Sequence, residues 1–216
     1  MCFVEVYMAS IGIMGGTFNP IHLGHIEIAK AAYEQYHLDE VWFMPNHIPA
    51  YKSEDAIVSG EDRLEMVRLA IKDIPYFKAS DLELKRDGNT YTIDTLKLLK
   101  KQYPQHVFYF IMGADSLFSF DKWREYQKIP SYATLLVAPR DEKSKNDIML
   151  KVQEFNQSFN QECFYVINCK EIPCSSSAIR AYFRVNDAIS VHNFEKEELY
   201  LSERVFQYIV NKQLYN

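Results

Sequence analysis

Short apolar runs alternate along this chain with stretches whose apolar residues recur at helical spacing. Ile11-Gly12-Ile13 predicts a strand, and the glycine turn after it leads into an amphipathic stretch, Ile26 to Tyr36, that predicts a helix. Val41 to Met44, stopped by Pro45, predicts a second strand. Asn46 to Gly60 is polar and predicts a loop over the functional face. Ser59 is placed to cap the next helix, with Asp62 in its first turn and Leu64, Val67 and Ile71 on its buried side. A further strand is expected within Phe77 to Leu84, before the turn residues Arg86-Asp87-Gly88-Asn89. A helix from about Thr92 buries Ile93, Leu96 and Leu99 and stops before Pro104. Val107 to Met112 is almost continuously apolar, as expected of a central parallel strand covered on both faces, and Thr134 to Val137 repeats that character. Between them Asp115 to Gln127 reads as a helical connection holding Trp123. Asp141 to Asn156 reads as a helix and Cys163 to Ile167 as the last strand. Helices follow from Ser175 and over Leu201 to Leu214.

Strands alternating with helices predict an α/β, doubly wound parallel sheet in a single domain. Ligands on such sheets bind beyond the carboxyl ends of the strands, at the switch point. The glycine turn lies at one such end, and Gly113-Ala114-Asp115 at another. At 216 residues the chain can bury a sizeable core. Its net charge of −5 argues against a nucleic-acid partner. No apolar run approaches the ~18 residues of a membrane span, and the first residues lack the features of a secretion signal, so a cytoplasmic, membrane-free protein is expected. Cys2, Cys163, Cys169 and Cys174 show no C-x-x-C spacing, which suggests incidental reduced thiols. Residues 1–10 read as an N-terminal extension before a domain over 11–216, with Met8 an alternative start. The sequence leaves the oligomeric state open, a homo-oligomer included.

The run Gly15-Gly16-Thr17-Phe18-Asn19-Pro20-Ile21-His22-Leu23-Gly24-His25 carries the chemistry. Glycines let backbone approach a ligand closely, and the N–H groups of a helix start attract phosphate. His22 and His25, three residues apart, share one face at that same end. Zinc is not expected, because the only carboxylate nearby in sequence, Glu27, follows His25 too closely to share its face. The run is neither a Walker loop nor a Gly-x-Gly-x-x-Gly turn.

This run resembles the signature of the nucleotidyltransferases that carry a (T/H)-x-G-H motif, with His22-Leu23-Gly24-His25 as the motif itself. One position departs: Asn19 stands where Asp is more usual, keeping the turn-forming side chain but not the charge. Further segments are similar to one branch, the bacterial nicotinate-nucleotide adenylyltransferases. Cys174-Ser175-Ser176-Ser177-Ala178-Ile179-Arg180 resembles Ile-Ser-Ser-Thr-x-Ile-Arg, with Ser177 retaining the hydroxyl of Thr. Asn89 to Leu96 resembles a Ser-Tyr-Thr-x-Asp-Thr segment, Lys122-Trp123-Arg124 a Lys-Trp-Tyr, and Pro45 to Lys52 a Pro-x-x-x-Pro-x-x-Lys loop. In isolation each has a bland reading: a helix cap, a core tryptophan, a solvated lysine.

The resemblance implies a Rossmann-like fold and adenylyl transfer from ATP to nicotinate mononucleotide, giving deamido-NAD and pyrophosphate, with Mg²⁺ travelling with the ATP. It implies His22, His25, Lys52 and Arg180 as catalytic groups. It implies Gly15, Gly16, Thr17, Phe18, Gly24, Gly113, Asp115, Ser176, Ser177, Ile179 and Arg180 at ATP, and Thr92, Trp123 and Arg124 at the mononucleotide. Pantetheine-phosphate adenylyltransferase and a non-catalytic nucleotide sensor are the alternatives. The first usually has Thr in place of His22 and lacks the Tyr-Thr-x-Asp-Thr segment; retention of both histidines, Lys52 and Arg180 speaks against the second.

Overall fold

The computed structural model describes residues 8–47, 57–86, 88–139, 144–185 and 199–216. Its strands are β1 (Ser10–Gly16), β2 (Glu40–Pro45), β3 (Phe77–Ala79), β4 (Val107–Gly113), β5 (Thr134–Ala138) and β6 (Phe164–Val166). Its helices, in chain order, are α1 (Leu23–Gln35), α2 (Gly60–Ile71), α3 (Thr92–Gln102), α4 (Ala114–Phe118), α5 (Lys145–Phe159), α6 (Ser176–Val185) and α7 (Glu203–Lys212). The strands form one parallel sheet in the order β3-β2-β1-β4-β5-β6. From β1 the chain winds outward through β2 and β3, then returns to lay β4 on the opposite side of β1. The switch point therefore falls between β1 and β4.

Successive side chains of a strand point to opposite faces, and the two halves of the core follow that rule. Met14 of β1, Ile111 of β4 and Leu136 of β5 pack with α1, α2, α6 and α7. Ile11 and Ile13, Phe108 and Phe110, and Leu135 and Val137 pack with α3, α4 and α5. Both faces are covered, which explains why β1, β4 and β5 read as unbroken apolar runs. No helix among the described residues is long and apolar enough to cross a membrane.

Several expected boundaries shift. Gly15 and Gly16 end β1 instead of forming the turn, which falls at Asn19 and Pro20. Strand β1 begins at Ser10, paired with Val107, and Ala9 is buried. The last residues of the supposed extension thus belong to the sheet; residues 1–7 lie outside the described residues. The strand expected within Phe77 to Leu84 is there as β3, confined to Phe77–Ala79, and residues 82–85 form a turn. Among the described residues β3 is an edge strand, and its register with β2 stops at Ala79. The connection expected as a helix over Asp115 to Gln127 breaks after α4 into two 3-10 segments, Phe120–Lys122 and Tyr126–Ser131. Ser119 Oγ bonds back to the Asp115 carbonyl at 3.0 Å, one of the local contacts by which serine competes with a helix.

Candidate active site

The loop from Thr17 to His22 joins the carboxyl end of β1 to the start of α1, and His22 is the residue before that helix. The backbone amide of His22 donates to His25 Nδ1 at 3.2 Å. That bond makes Nδ1 an acceptor, so a neutral His25 carries its proton on Nε2. The two imidazoles lie with centroids 3.8 Å apart. A side chain at Gly24 between them would be tight: a Cβ there would stand 3.0 Å from His22 Nδ1 and 3.1 Å from Cys174 Sγ. The Cys174 thiol itself lies 3.1 Å from His22 Nδ1.

A second helix start faces the first. Ser175 caps α6, its Oγ accepting from the Ala178 amide at 3.2 Å and lying 3.0 Å from Ser177 Oγ. Ser176 Oγ donates to the Pro20 carbonyl at 2.8 Å, and Arg180 Nη1 to the Asn19 carbonyl at 2.8 Å. Two helix N-termini, a run of hydroxyls and a guanidinium thus converge on one spot, an arrangement that favours a polyphosphate.

A cleft of about 640 Å³ opens there, beyond the carboxyl ends of β1 and β4. Of the residues singled out from sequence, Gly15, Gly16, Thr17, Phe18, His25, Thr92, Gly113, Asp115, Trp123, Arg124, Ser176, Ser177 and Arg180 line it. His22 and Gly24 line an adjoining cavity of about 960 Å³, which shares Ile28, Asp115 and Ser175 with the cleft. Ile179 lines neither cavity; it is 2% exposed and packs in the core with Phe183. Lys52 and Pro49 lie outside the described residues.

Opposite the phosphate end, Trp123 stands edge-on to Phe110, with centroids 5.9 Å apart and an interplanar angle of 88°. The Arg124 guanidinium sits 4.8 Å over the Tyr91 ring and 3.4 Å from Asp94. Asp94 also faces Arg86 at 3.7 Å.

Two buried charged residues at or beside the site were not singled out from sequence. Arg63 of α2 is 1% exposed, and its donors reach five acceptors. Nε donates to the Val58 carbonyl at 3.2 Å, and Nη1 to the Thr17 carbonyl at 2.8 Å and Asn46 Oδ1 at 3.4 Å. Nη2 donates to the carbonyls of Asn46 and His47 at 2.7 and 3.2 Å. One side chain therefore ties the phosphate loop to the segments after β2 and before α2. The signal was available: Arg63 precedes Val67 by one turn, on the stripe read as buried. Glu83 also lines the cleft while 8% exposed, accepting from Thr95 Oγ1 at 2.6 Å. Burial pushes its carboxyl above the ordinary range, against hydrogen bonds from Thr95 and Thr90 and the pull of Arg86.

Comparison with known proteins gives the family and the fold. The family model described as cytidylyltransferase-like matches residues 13–182. A relative from Lachnoclostridium phytofermentans is 41% identical over 96% of this chain and 100% of its own, and one from Shewanella frigidimarina is 37% identical over 95% and 99%. Both bear the name probable nicotinate-nucleotide adenylyltransferase. The nicotinic acid mononucleotide adenylyltransferase of Plasmodium falciparum, solved in complex with NaAD, shares the fold at a TM-score of 0.75 and 22% identity, over 96% of this chain and 97% of that one. The same enzyme complexed with APC gives a TM-score of 0.74. With a family model spanning most of its length and relatives matched end to end, the chain belongs to the nicotinate-nucleotide adenylyltransferases, within the cytidylyltransferase-like family.

Proposed function

We propose that this protein transfers the adenylyl group of ATP to nicotinate mononucleotide, forming nicotinate adenine dinucleotide and pyrophosphate. The observation that carries the reading is the convergence in one cleft of the His25 loop, the Ser175–Arg180 helix start and the Thr92, Trp123 and Arg124 wall. The first two match a triphosphate and the third a flat, charged ring. The complexes of the Plasmodium falciparum enzyme with NaAD and with APC support the same two ligand classes.

In this reading the phosphate oxygen of the mononucleotide attacks the α-phosphorus of ATP. A new O–P bond forms as the bond to the pyrophosphate oxygen breaks, and the electron pair leaves with pyrophosphate. The attacking phosphate is ionised at neutral pH, so the protein needs no general base. Its work is to align the two substrates and to neutralise charge growing on the phosphoryl oxygens. His25 would donate from Nε2–H, and Arg180 and the α6 hydroxyls would hold the leaving phosphates. His22, Gly24 and the wall of the adjoining cavity would enclose the rest of ATP.

Mg²⁺ would arrive as part of the ATP substrate, ligated by phosphate oxygens and water. The test is pyrophosphate release from ATP and Mg²⁺ with nicotinate mononucleotide, nicotinamide mononucleotide or phosphopantetheine as acceptor. Turnover confined to, or strongest with, the first is expected. Turnover strongest with phosphopantetheine, or none with any acceptor, would overturn the reading.

A further inference from the structure

Asn19, the residue that departs from the more usual Asp, does not line the cleft. It is 4% exposed and its side chain points into the protein beneath the loop. Its Oδ1 accepts from two distant places: the Tyr215 hydroxyl at 2.9 Å and the Val58 amide at 3.3 Å. Its backbone carbonyl accepts from Arg180 Nη1 at 2.8 Å. Asn19 is thus a junction at which the C-terminal tail, the segment before α2 and a cleft-lining arginine of α6 meet.

The tail is shaped to reach that junction. Helix α7 ends with Gln213 in the left-handed conformation, and Leu214 N–H closes the turn on the Ile209 carbonyl at 3.0 Å. Tyr215 follows with φ of 72°, a region that bulky side chains rarely occupy and that persists where surrounding contacts over-determine it. Those contacts are its hydroxyl bond to Asn19 and its ring against Phe183, with centroids 6.4 Å apart. Phe183 lies one turn beyond Arg180 on α6. Burial pushes the Tyr215 phenol far above its ordinary range, outweighing the guanidiniums of Arg180 and Arg63 that pull it down. The hydroxyl therefore stays protonated and acts only as a donor toward Asn19.

We propose that Tyr215 is a positioning residue for the ATP phosphates: by donating to Asn19 Oδ1 it fixes the carbonyl on which Arg180 is seated, and so the aim of Arg180 in the cleft. This rests on the assignment of the cleft as an adenylyl-transfer site. Without the hydroxyl, Asn19 Oδ1 loses the shorter of its bonds to Tyr215 and Val58, and the amide is held less firmly. The Asn19 carbonyl and Arg180 then lose a single fixed arrangement. The consequence falls on ATP, because Arg180 is the cleft residue seated on this junction, whereas Thr92 and Trp123 stand at the other end of the cleft.

Tyr215→Phe keeps the ring and removes only the hydroxyl. Its KM for ATP and its Kd for a non-hydrolysable ATP analogue, measured by calorimetry, are expected to rise about fivefold, the scale of one lost hydrogen bond. The KM for nicotinate mononucleotide should stay within twofold. In an Asn19→Ala background the same substitution should add less than twofold, since the bond it removes is already gone. Unchanged analogue affinity in Tyr215→Phe would overturn the proposal, as would equal losses for both substrates or an undiminished effect in the Asn19→Ala background. If Asn19→Ala does not fold, the single variant's split between the two ligands decides. A contact that only closes the fold would lower the melting temperature and leave both ligands unaffected. The calorimetric arm needs no turnover, so an error in the mononucleotide assignment shows in the activity assay alone.

Discussion

The amide of His22 and the Nδ1 of His25, 3.2 Å apart, decide how the second histidine of the motif acts. With Nδ1 engaged as an acceptor, His25 presents an N–H from Nε2 and needs no positive charge to hydrogen-bond a phosphoryl oxygen. If that bond strengthens as charge develops in transfer, His25→Ala should lower turnover by roughly 10²–10³-fold, the scale for one preorganised donor. Urea unfolding should show little change in stability, since His25 lines the cleft and is no part of the core. A variant that turns over at near-normal rate would remove His25 from the mechanism.

Arg63 offers a stability prediction of a different kind. Its guanidinium supplies donors to the carbonyls of four half-buried residues and to Asn46 Oδ1. Arg63→Met fills much of the same space, so any loss reports the missing donors and not a cavity. Leaving several half-buried acceptors without these donors should cost about 1–3 kcal/mol in urea unfolding. The ATP KM should rise as well, because the Thr17 carbonyl belongs to the phosphate loop. A variant of unchanged stability would mean that water replaces the guanidinium at those carbonyls.

What could be read from the sequence was what is local. Ser59 accepts from the Asp62 amide at 3.0 Å, as the cap pattern implied, and Leu64, Val67 and Ile71 are buried as their spacing required. The runs around Ile11, Phe110 and Leu135 became central strands because both faces of the sheet are covered. The connection over Asp115 to Gln127 was misread as one helix, since apolar spacing does not show the point near Ser119 at which it breaks. Where β3 stops depends on its register with β2, a partner far along the chain, which ends at Ala79. The cleft residues, the loop from Thr17 to His22 among them, came from the resemblance to family motifs. The supports of that loop did not, since Arg63, Glu83 and Tyr215 gain their meaning from hydrogen-bond partners at Thr17, Thr95 and Asn19 that only folding brings within reach.

Glu83 should leave a mark on the pH dependence of stability. Its carboxyl is raised in the folded protein by burial, so the native state holds this proton more tightly than the unfolded chain does. In the window from the ordinary Glu value up to the raised one, the native state binds more protons, and stability falls as pH rises through it. Glu83→Gln has no such proton and its amide oxygen can still accept from Thr95. Urea unfolding of both proteins between pH 4.5 and pH 8 should show the variant gaining on the unmodified protein as pH rises. Parallel curves would mean that Glu83 is held no differently in the two states.

The choice of base tests the other end of the cleft. Nicotinate and nicotinamide differ in one group: a carboxylate only accepts hydrogen bonds, whereas a carboxamide must also donate. The wall proposed for that group includes Thr92, at the first turn of α3, and Arg124, whose guanidinium is held over Tyr91. A helix start and a guanidinium present donors, which match a carboxylate and oppose an amide NH₂. An unmet buried group costs about 1–3 kcal/mol. Asp94 works against this, drawing on the Arg124 charge from 3.4 Å, and Glu83 lines the same cleft as an acceptor while ionised. Donors should still win, because Asp94 is itself shared with Arg86 and burial favours the neutral form of Glu83. We therefore expect kcat/KM for nicotinate mononucleotide to exceed that for the nicotinamide form by at least about tenfold, only ~1.4 kcal/mol. Arg124→Ala should shrink that ratio by withdrawing a donor. Trp123→Ala should weaken both substrates by removing an aromatic surface that either ring can stack on, and leave the ratio nearly as it was. Equal efficiencies for the two mononucleotides in the unmodified enzyme would show that the donors of this wall do not meet the base.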